Sequence, residues 1–190
     1  MVDHRATVEA ILAGDRNRFR VLVKDFQRLV SHIVFRMIPD THDREDVCQE
    51  VFVKVYQNLA GFRFGSKLST WVAQIAYNTC LTTLGKQQAS PVSSQVGDEV
   101  GSGMEWAADS SVRPDSIYES DDTSTIVRRE IDNLPALPGT ILVLFHLENM
   151  SLQQIAEVFG MPEGTVKSHL FRARRQLKEQ LAQKYQWERP

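Results

Sequence analysis

Residues 151–175 read SLQQIAEVFGMPEGTVKSHLFRARR and carry the clearest structural signal in the chain. Ser151 followed by Gln154 is typical of a capping box at the start of a helix, and Gly160 favours the end of that helix. Pro162 suits the first turn of a second helix, where its missing amide hydrogen is not needed. The stretch therefore predicts a helix-turn-helix, whose second helix is set to enter the major groove of DNA.

The second helix of this motif separates into two faces when its residues are placed at about 100° intervals. Its apolar arc comprises Val166, Leu170, Ala173, Leu177 and Leu181. The opposite side comprises Lys167, Ser168, Phe171, Arg172 and Arg175. Phe171 is the informative residue, because a phenylalanine facing water is unfavourable unless something covers it, such as a thymine methyl group or a sugar.

The chemistry of the polar side predicts the kind of contact that each residue makes. Lys167 and Arg172 can reach guanine edges or phosphates, and Ser168 can bind either kind of group. Arg174 and Arg175 can reach the flanking phosphates. Taken alone, these residues leave open a basic helix face that is merely solvated.

Upstream of the motif, apolar residues recur at helical spacing in further segments. Residues 19–37 predict a long amphipathic helix that Pro39 and Asp40 end. Residues 43–59 predict a second helix, and its polar arc lies opposite its apolar one. That polar arc comprises Asp43, Asp46, Gln49 and Glu50. Such an arc faces water or a partner, because acidic side chains are rarely buried without one.

A glycine-containing loop at residues 61–67 precedes another predicted helix, which Ser69 or Thr70 could cap and which ends near Leu84. No strand pattern competes in any segment. Residues 85–125 differ in composition, with two basic residues, eight acidic ones and little apolar periodicity. We therefore predict an all-α protein with two small helical domains, residues 1–84 and 126–190, joined by a flexible acidic linker at 85–125.

Composition excludes several function classes. A formal net charge of -2 is unlike that of a DNA-binding protein that acts alone. Two cysteines make no disulfide framework, and five histidines show no metal-ligand spacing, so we expect no metal or cofactor. We find no phosphate-binding glycine loop, no hydrolase motif, no signal peptide and no membrane-spanning run, and we expect a cytoplasmic protein that is not an enzyme.

Two regions strongly resemble the extracytoplasmic-function sigma factors. Residues 151–160 and 162–174, preceded by Leu134-Pro135, are similar to the domain that reads the minus-thirty-five promoter element in that family. Residues 43–52, DREDVCQEVF, look like its polymerase-binding helix. Residues 62–78, with Ile75-Ala76-Tyr77-Asn78 at their end, look like its minus-ten domain. The resemblance covers about residues 14–84 and 133–181.

This resemblance implies roles for the candidate residues. Asp43, Asp46, Gln49 and Glu50 would dock on the clamp of core RNA polymerase. The loop would hold a base flipped from the minus-ten strand, and Asn78 would hydrogen-bond that base. The implied minus-ten residues are Phe62, Arg63, Phe64, Gly65, Ser66, Lys67, Trp71 and Asn78. Trp71 is the ambiguous member, because a tryptophan at this place can equally fill the core.

Two segments depart from the pattern of the family. This chain has Gly85-Lys86-Gln87-Gln88 where a basic cluster is common, and it has Pro138-Gly139 where a polar or basic residue is common. The first departure weakens the expected phosphate contacts near the minus-ten element.

The predicted function is that of an alternative sigma factor, whose partners are core RNA polymerase, promoter DNA and an anti-sigma factor, with no small-molecule substrate. Two other hypotheses remain open at this point. A helix-turn-helix regulator could bind operator DNA alone, usually as a dimer. An interaction protein could use the basic helix for an acidic partner and read no promoter.

Overall fold

The computed structural model describes residues 4–89 and 122–185, and throughout these ranges the regular elements are helices. They are α1 (His4–Leu12), α2 (Arg16–Met37), α3 (Thr41–Asn58), α4 (Leu68–Ala89), α5 (Asp122–Asp132), α6 (Ala136–His146), α7 (Leu152–Phe159) and α8 (Glu163–Tyr185), with a 3₁₀ turn at Leu59–Gly61. The predicted all-α fold is confirmed. Most of the predicted linker, residues 90–121, lies outside the described residues.

Helix α4 differs at both ends from the helix predicted from the sequence. It begins at Leu68, before either predicted cap, and it continues past Leu84 to Ala89. Gly85 does not end the helix, because it lies in open space and a single glycine in a helix costs only about 1 kcal/mol. Thr70 is no cap but a buried residue, with only 2% of its surface exposed.

Helix α2 is the central element of the N-terminal half. It contacts α1, α3 and α4 as well as α6 of the other half. Its buried face comprises Leu22, Phe26, Leu29, Val30, Ile33 and Val34. The carboxylate of Asp15 begins the helix by accepting hydrogen bonds from the amides of Asn17 (2.9 Å) and Arg18 (3.2 Å).

The end of α2 is fixed by an arginine from α3. Arg44 is buried, and its Nε donates to the carbonyl of Ile38 at 2.9 Å while a terminal nitrogen donates to the carbonyl of Pro39 at 3.2 Å. These carbonyls would otherwise lack partners where the helix ends. Arg44 therefore sets the angle at which the chain turns from α2 into α3.

The C-terminal half is built around α6, which buries Ile141, Leu142, Val143 and Leu144. Helix α8 packs along it, and α5 crosses the end of α8. At that crossing, Glu130 is completely buried and accepts hydrogen bonds from Lys184 (2.8 Å) and Tyr185 (3.2 Å). A buried carboxylate requires such partners, so this cluster fixes α5 against the last turn of α8.

The two halves pack directly on each other through α2 with α6 and through α4 with α7. Glu148, just after α6, accepts from Arg28 Nε at 3.0 Å and lies 2.8 Å from His32 Nδ1. Between α4 and α7, the rings of Tyr77 and Phe159 meet edge to face at 4.6 Å. The junction between the halves is thus partly ionic and partly aromatic.

Arg36 is the most buried charged group at this junction, with 8% of its side chain exposed. Its guanidinium donates to the carbonyl of Leu134 at 3.2 Å and lies 3.4 Å from a carboxylate oxygen of Asp132. Burial lowers the pKa of Arg36 to about 10, although Asp132 opposes this shift. The guanidinium occupies the space beside Gly139, where an added Cβ would lie 2.6 Å from its central carbon. The departure noted at Gly139 therefore makes room for an arginine from the other half.

Both cysteines are free thiols in the helical core. Burial raises the pKa of Cys80 to about 12 and that of Cys48 to about 11, so both stay protonated and unreactive at neutral pH. Among the described residues, no group of histidine, cysteine and acidic side chains could hold a metal ion. No described helix combines the length and apolar character needed to cross a membrane.

The contact between Arg36 and Gly139 predicts opposite effects of one substitution in two backgrounds. Gly139→Ala should lower the free energy of unfolding by about 1–3 kcal/mol, because the methyl group displaces the guanidinium from its carbonyl partner. In an Arg36→Ala background, the same change should stabilise the chain by about 0.5–1 kcal/mol, since alanine favours a helix over glycine. Urea unfolding of the four chains measures both, and equal effects in the two backgrounds would contradict the contact.

Candidate nucleic-acid interface

Helices α7 and α8 form the predicted helix-turn-helix, and the expected local signals hold it together. The Ser151 hydroxyl accepts from the amide of Gln154 at 3.2 Å, and the Gln154 side chain accepts from the amide of Ser151 at 2.9 Å. Gly160 ends α7 in the left-handed conformation, with φ at 63°. The amide of Met161 then donates to the carbonyl of Ala156 at 3.1 Å, which closes the turn before α8.

Helix α8 presents the two faces that the sequence predicts. Val166, Leu170 and Ala173 are buried. The polar side is exposed and comprises Lys167, Ser168, Phe171, Arg172 and Arg175. Phe171 is exposed over 67% of its surface, the highest fraction among the large hydrophobic residues of the described part of the chain. An apolar ring held in water amid basic side chains is poised for a partner that is both apolar and anionic.

The charged groups of this face bind each other weakly. Lys167 Nζ lies 3.1 Å from the carboxylate of Glu163, and Arg175 Nε lies 2.9 Å from that of Glu179. Arg172 Nε donates to the carbonyl of Ser168 at 3.3 Å. Exposed pairs of this kind contribute at most about 1 kcal/mol, so a phosphate could displace them at small cost.

Arg174 lies differently from the other candidate residues of α8. Its Nε donates to Nε2 of His146 at 3.1 Å, and its guanidinium lies 5.2 Å from the centre of the Phe145 ring. Burial lowers the pKa of His146, and the charge of Arg174 lowers it further, so the ring is neutral and can accept this bond. Arg174 thus ties α8 to α6, and it would have to leave that position to reach a phosphate.

The loop after α3 is organised by aromatic residues. Phe62 is buried, and its ring lies 4.8 Å from that of Phe64 and 5.1 Å from that of Trp71. Phe64 has a φ of 57°, a left-handed conformation that is strained for a residue with a side chain. Strain of this kind is held in place by surrounding contacts and is concentrated at functional sites.

Two cavities flank this aromatic cluster. The first, of about 260 Å³, is lined by His4, Phe62, Phe64, Ser66, Lys67, Leu68 and Ser69. The second, of about 340 Å³, is lined by Lys54, Asn58, Trp71, Ile75, Asn78, Thr79 and Thr82. The family resemblance implies that Asn78 and the loop bind one base, whereas the structure places them in different cavities. Trp71 is half-buried, packs on Phe62 and lines the second cavity. Arg63 and Gly65 are exposed and line neither cavity.

Sequence reasoning missed several residues of these cavities. Lys54 and Asn58 lie one turn apart on α3 and face Asn78 across the second cavity. The polar pair at this spacing was a usable signal, since residues four apart share a helix face. His4 on α1 gave no signal, because nothing in the sequence indicates which segment packs against the loop.

The acidic arc on α3 divides into two kinds of residue. Asp46 and Gln49 are exposed, whereas Asp43 and Glu50 are half-buried. The carboxylate of Glu50 lies 2.8 Å from Lys54 Nζ, which also donates to the Thr79 hydroxyl at 3.3 Å. Glu50 therefore connects the arc to the second cavity.

Comparisons with known proteins agree on one family. The family model for sigma-70 region 2 matches residues 22–90, and that for sigma-70 region 4 matches residues 124–177. The ECF RNA polymerase sigma-E factor of Escherichia coli K12 is 36% identical over 169 residues, which is 88% of each chain. The ECF RNA polymerase sigma factor SigW of Bacillus subtilis is 29% identical over 92% of this chain and 94% of its own.

A solved structure has a similar fold. In the complex of the sigma factor RpoE with the anti-sigma factor NepR from Bartonella quintana, the matching chain superposes with a TM-score of 0.66. The match covers 90% of this chain and 98% of that one at 20% identity.

Gly160, which ends α7, allows the geometry of the helix-turn-helix to be tested. Gly160→Ala should lower the free energy of unfolding by about 1–2 kcal/mol, because its backbone is left-handed. Gly164→Ala is the matched control, since Gly164 lies in open space at the start of α8 and alanine there should stabilise by up to about 1 kcal/mol. Thermal unfolding distinguishes the two, and a loss of stability in both variants would be evidence against this turn.

Proposed function

The chain belongs to the extracytoplasmic-function sigma factors, and we propose that it binds core RNA polymerase and directs it to promoters by contacting both the minus-thirty-five and the minus-ten elements. The observation that carries this proposal is the reading face of α8, where Phe171 stands in water between basic side chains. The same chain carries an aromatic loop beside a small cavity. The minus-ten element requires such a site, because one of its bases must be held outside the duplex. These two features support a protein that both reads duplex DNA and captures a single strand.

At the minus-thirty-five element, α8 lies in the major groove. Arg172 and Lys167 contact guanine edges or phosphates, and Ser168 contributes a hydroxyl to either. Phe171 covers a thymine methyl group or a sugar and thereby loses its exposure to water. Arg175 contacts the flanking backbone, as does Arg174 once it is released from α6.

At the minus-ten element, one base leaves the stack and binds beside the loop. Extrusion costs a few kcal/mol, which aromatic contact and hydrogen bonds offset. Phe62, Phe64 and Ser66 form the wall of this site, Gly65 belongs to the same loop without lining the cavity, and Arg63 and Lys67 meet the phosphates. Trp71 and Asn78 belong to the second cavity, where a neighbouring unpaired nucleotide binds.

The acidic arc of α3 binds the polymerase. Asp46 and Gln49 are exposed for this contact, and Asp43 and Glu50 border it. The similar Bartonella quintana protein was solved with an anti-sigma factor, and we extend this kind of partner to the present chain. The protein acts in the cytoplasm, performs no covalent chemistry and binds no small-molecule substrate.

Binding both elements requires the two halves to separate. The two elements lie about 25 base pairs apart, or roughly 85 Å along B-DNA. Each half has a radius of gyration of only about 11–12 Å, so two halves in contact cannot span that distance. Residues 90–121 can reach up to about 110 Å when fully extended, which is enough. Promoter recognition therefore breaks the contacts of Arg36 and Glu148.

The decisive experiment is transcription in vitro with purified core polymerase and a randomised promoter library, followed by sequencing of the transcript starts. We expect starts downstream of two enriched motifs separated by a fixed spacer. If the polymerase gains no starts and the protein binds duplex DNA alone, it is an operator-binding regulator. If neither occurs, the basic face of α8 binds a protein partner and the proposal is wrong.

Substitutions on α8 give a sharper prediction. Arg172→Ala should reduce use of the preferred promoter by the equivalent of about 1–3 kcal/mol and relax the preference at one base pair, if it contacts a base. Phe171→Ala should reduce promoter use with less than about 0.5 kcal/mol change in stability, because the ring is exposed. Lys178→Ala removes an equally exposed charge further along α8 and is the control. If Arg172→Ala and Lys178→Ala lose activity alike on every promoter sequence, α8 contributes charge and does not read sequence.

A further inference from the structure

Helix α1 lies against the aromatic loop, since it contacts the 3₁₀ turn at Leu59–Gly61 and places Arg5 over the Phe64 ring. Val8 and Ile11 anchor it in the core, and its first turn reaches the cavity of about 260 Å³. His4 is a lining residue of that cavity together with Phe64 and Lys67. The N-terminal helix therefore forms one wall of the site beside the loop.

Arg5 contacts the strained residue of the loop directly. Its guanidinium lies 4.5 Å from the centre of the Phe64 ring, whose other neighbour is Phe62 at 4.8 Å. A cation over an aromatic face is attracted by the ring quadrupole. Since Phe64 has the unfavourable φ of 57°, contacts from outside the loop are needed to hold it. Arg5 supplies such a contact.

His4 is itself held in place by the core. Its ring lies 5.5 Å from that of Phe26, a buried residue of α2. Either nitrogen of an imidazole can make one hydrogen bond to the edge of a base. His4 is half-buried, and a hydrogen bond made there is less exposed to competing water than one on the surface.

The chemistry of the cavity suits a single nucleobase. Phe62, Phe64 and Leu68 give apolar walls, and the hydroxyls of Ser66 and Ser69 give polar groups. Lys67 supplies a cation for the attached phosphate. The cavity of about 260 Å³ is open to solvent on one side and has room for a flat group of the size of a nucleobase.

We propose that α1 completes the minus-ten site, with His4 reading the edge of the unpaired base and Arg5 positioning Phe64 against it. This inference rests on the proposed function, in which the loop captures that base. His4 is a specificity-determining residue, and Arg5 is a positioning residue that acts through Phe64. The rest of the minus-ten element and the minus-thirty-five element are read independently of both.

The test of His4 repeats the promoter-library transcription with His4→Ala and His4→Gln in the full chain. His4→Ala should reduce the base preference at one minus-ten position by at least about fivefold. The preferences at all other promoter positions should stay unchanged. His4→Gln, which retains a donor and an acceptor, should keep or redirect the preference at that same position. Glu9→Ala, at an exposed place on the same helix, is the matched control and should keep the wild-type motif.

An equal loss at every promoter in His4→Ala would overturn the proposal and make His4 a structural residue. Thermal unfolding of each variant identifies a folding defect as the cause of such a loss. If the wild-type protein yields no promoter-specific starts, the proposed function fails before His4 is tested. The two failures are therefore distinguishable.

The test of Arg5 measures promoter opening by permanganate reactivity of unpaired thymines with the polymerase complex. Arg5→Ala should reduce opening by about twofold to fivefold, whereas polymerase binding stays unchanged. Arg5→Lys should restore part of the loss, since an ammonium group also binds an aromatic face. Arg16→Ala removes a similarly exposed charge at the start of α2 and should leave opening unchanged. Equal losses in Arg5→Ala and Arg16→Ala would mean that only net charge matters, and Arg5 would have no positioning role.

Discussion

The burial of the Arg36 guanidinium between α2 and α6 is the interaction on which the relative arrangement of the two halves depends. A charge removed from water requires polar partners and room for its side chain. The carbonyl of Leu134 and the carboxylate of Asp132 are the partners of Arg36, and Gly139 leaves the room because it has no side chain. The Nε of Arg36 is buried without a hydrogen-bond partner. Such a group selects one geometry more than it stabilises the chain, because desolvation cancels much of its attraction. The junction is therefore specific in its geometry.

Other polar contacts cross the junction beside the aromatic contact of Tyr77 with Phe159. Glu148 binds Arg28 and His32 near the surface, and Gln154 Nε2 lies 3.3 Å from the Thr70 hydroxyl. The pKa of Glu148 is lowered, because hydrogen bonds from His32 and Arg28 outweigh the opposing effect of burial. Gln154 is also the residue that caps α7, and Thr70 immediately precedes Trp71. One contact thus joins the start of the DNA-reading motif to the aromatic cluster of the loop, so separation of the halves frees both.

Local signals made the helix-turn-helix predictable from the sequence. The capping box, Gly160 and the spacing of Val166 and Leu170 act within a few residues, and each behaves in the structure as expected. The start of α4 was predicted less well, because Thr70 is held by burial and not by a cap. Gly139 could be recognised as unusual from the sequence. The reason for a glycine there is the guanidinium of Arg36, a residue about a hundred positions earlier. The contacts of Arg5 and His4 with the loop were unpredictable for the same reason, since they depend on how distant helices pack.

The near-neutral charge of the chain balances the basic residues of α8 against the acidic residues of 85–125. Lys167 and Arg175 are each paired with a glutamate one turn away, and Arg174 is turned onto α6. Affinity for the DNA backbone grows with the number of phosphates that are neutralised, so a face with only a few cations binds duplex DNA weakly alone. In the proposed function, promoter discrimination survives this weakness, because it resides in base contacts and in the unpaired base of the minus-ten strand. A factor of this design depends on the polymerase for attraction, and the cost of separating its two halves is met only when that larger partner binds.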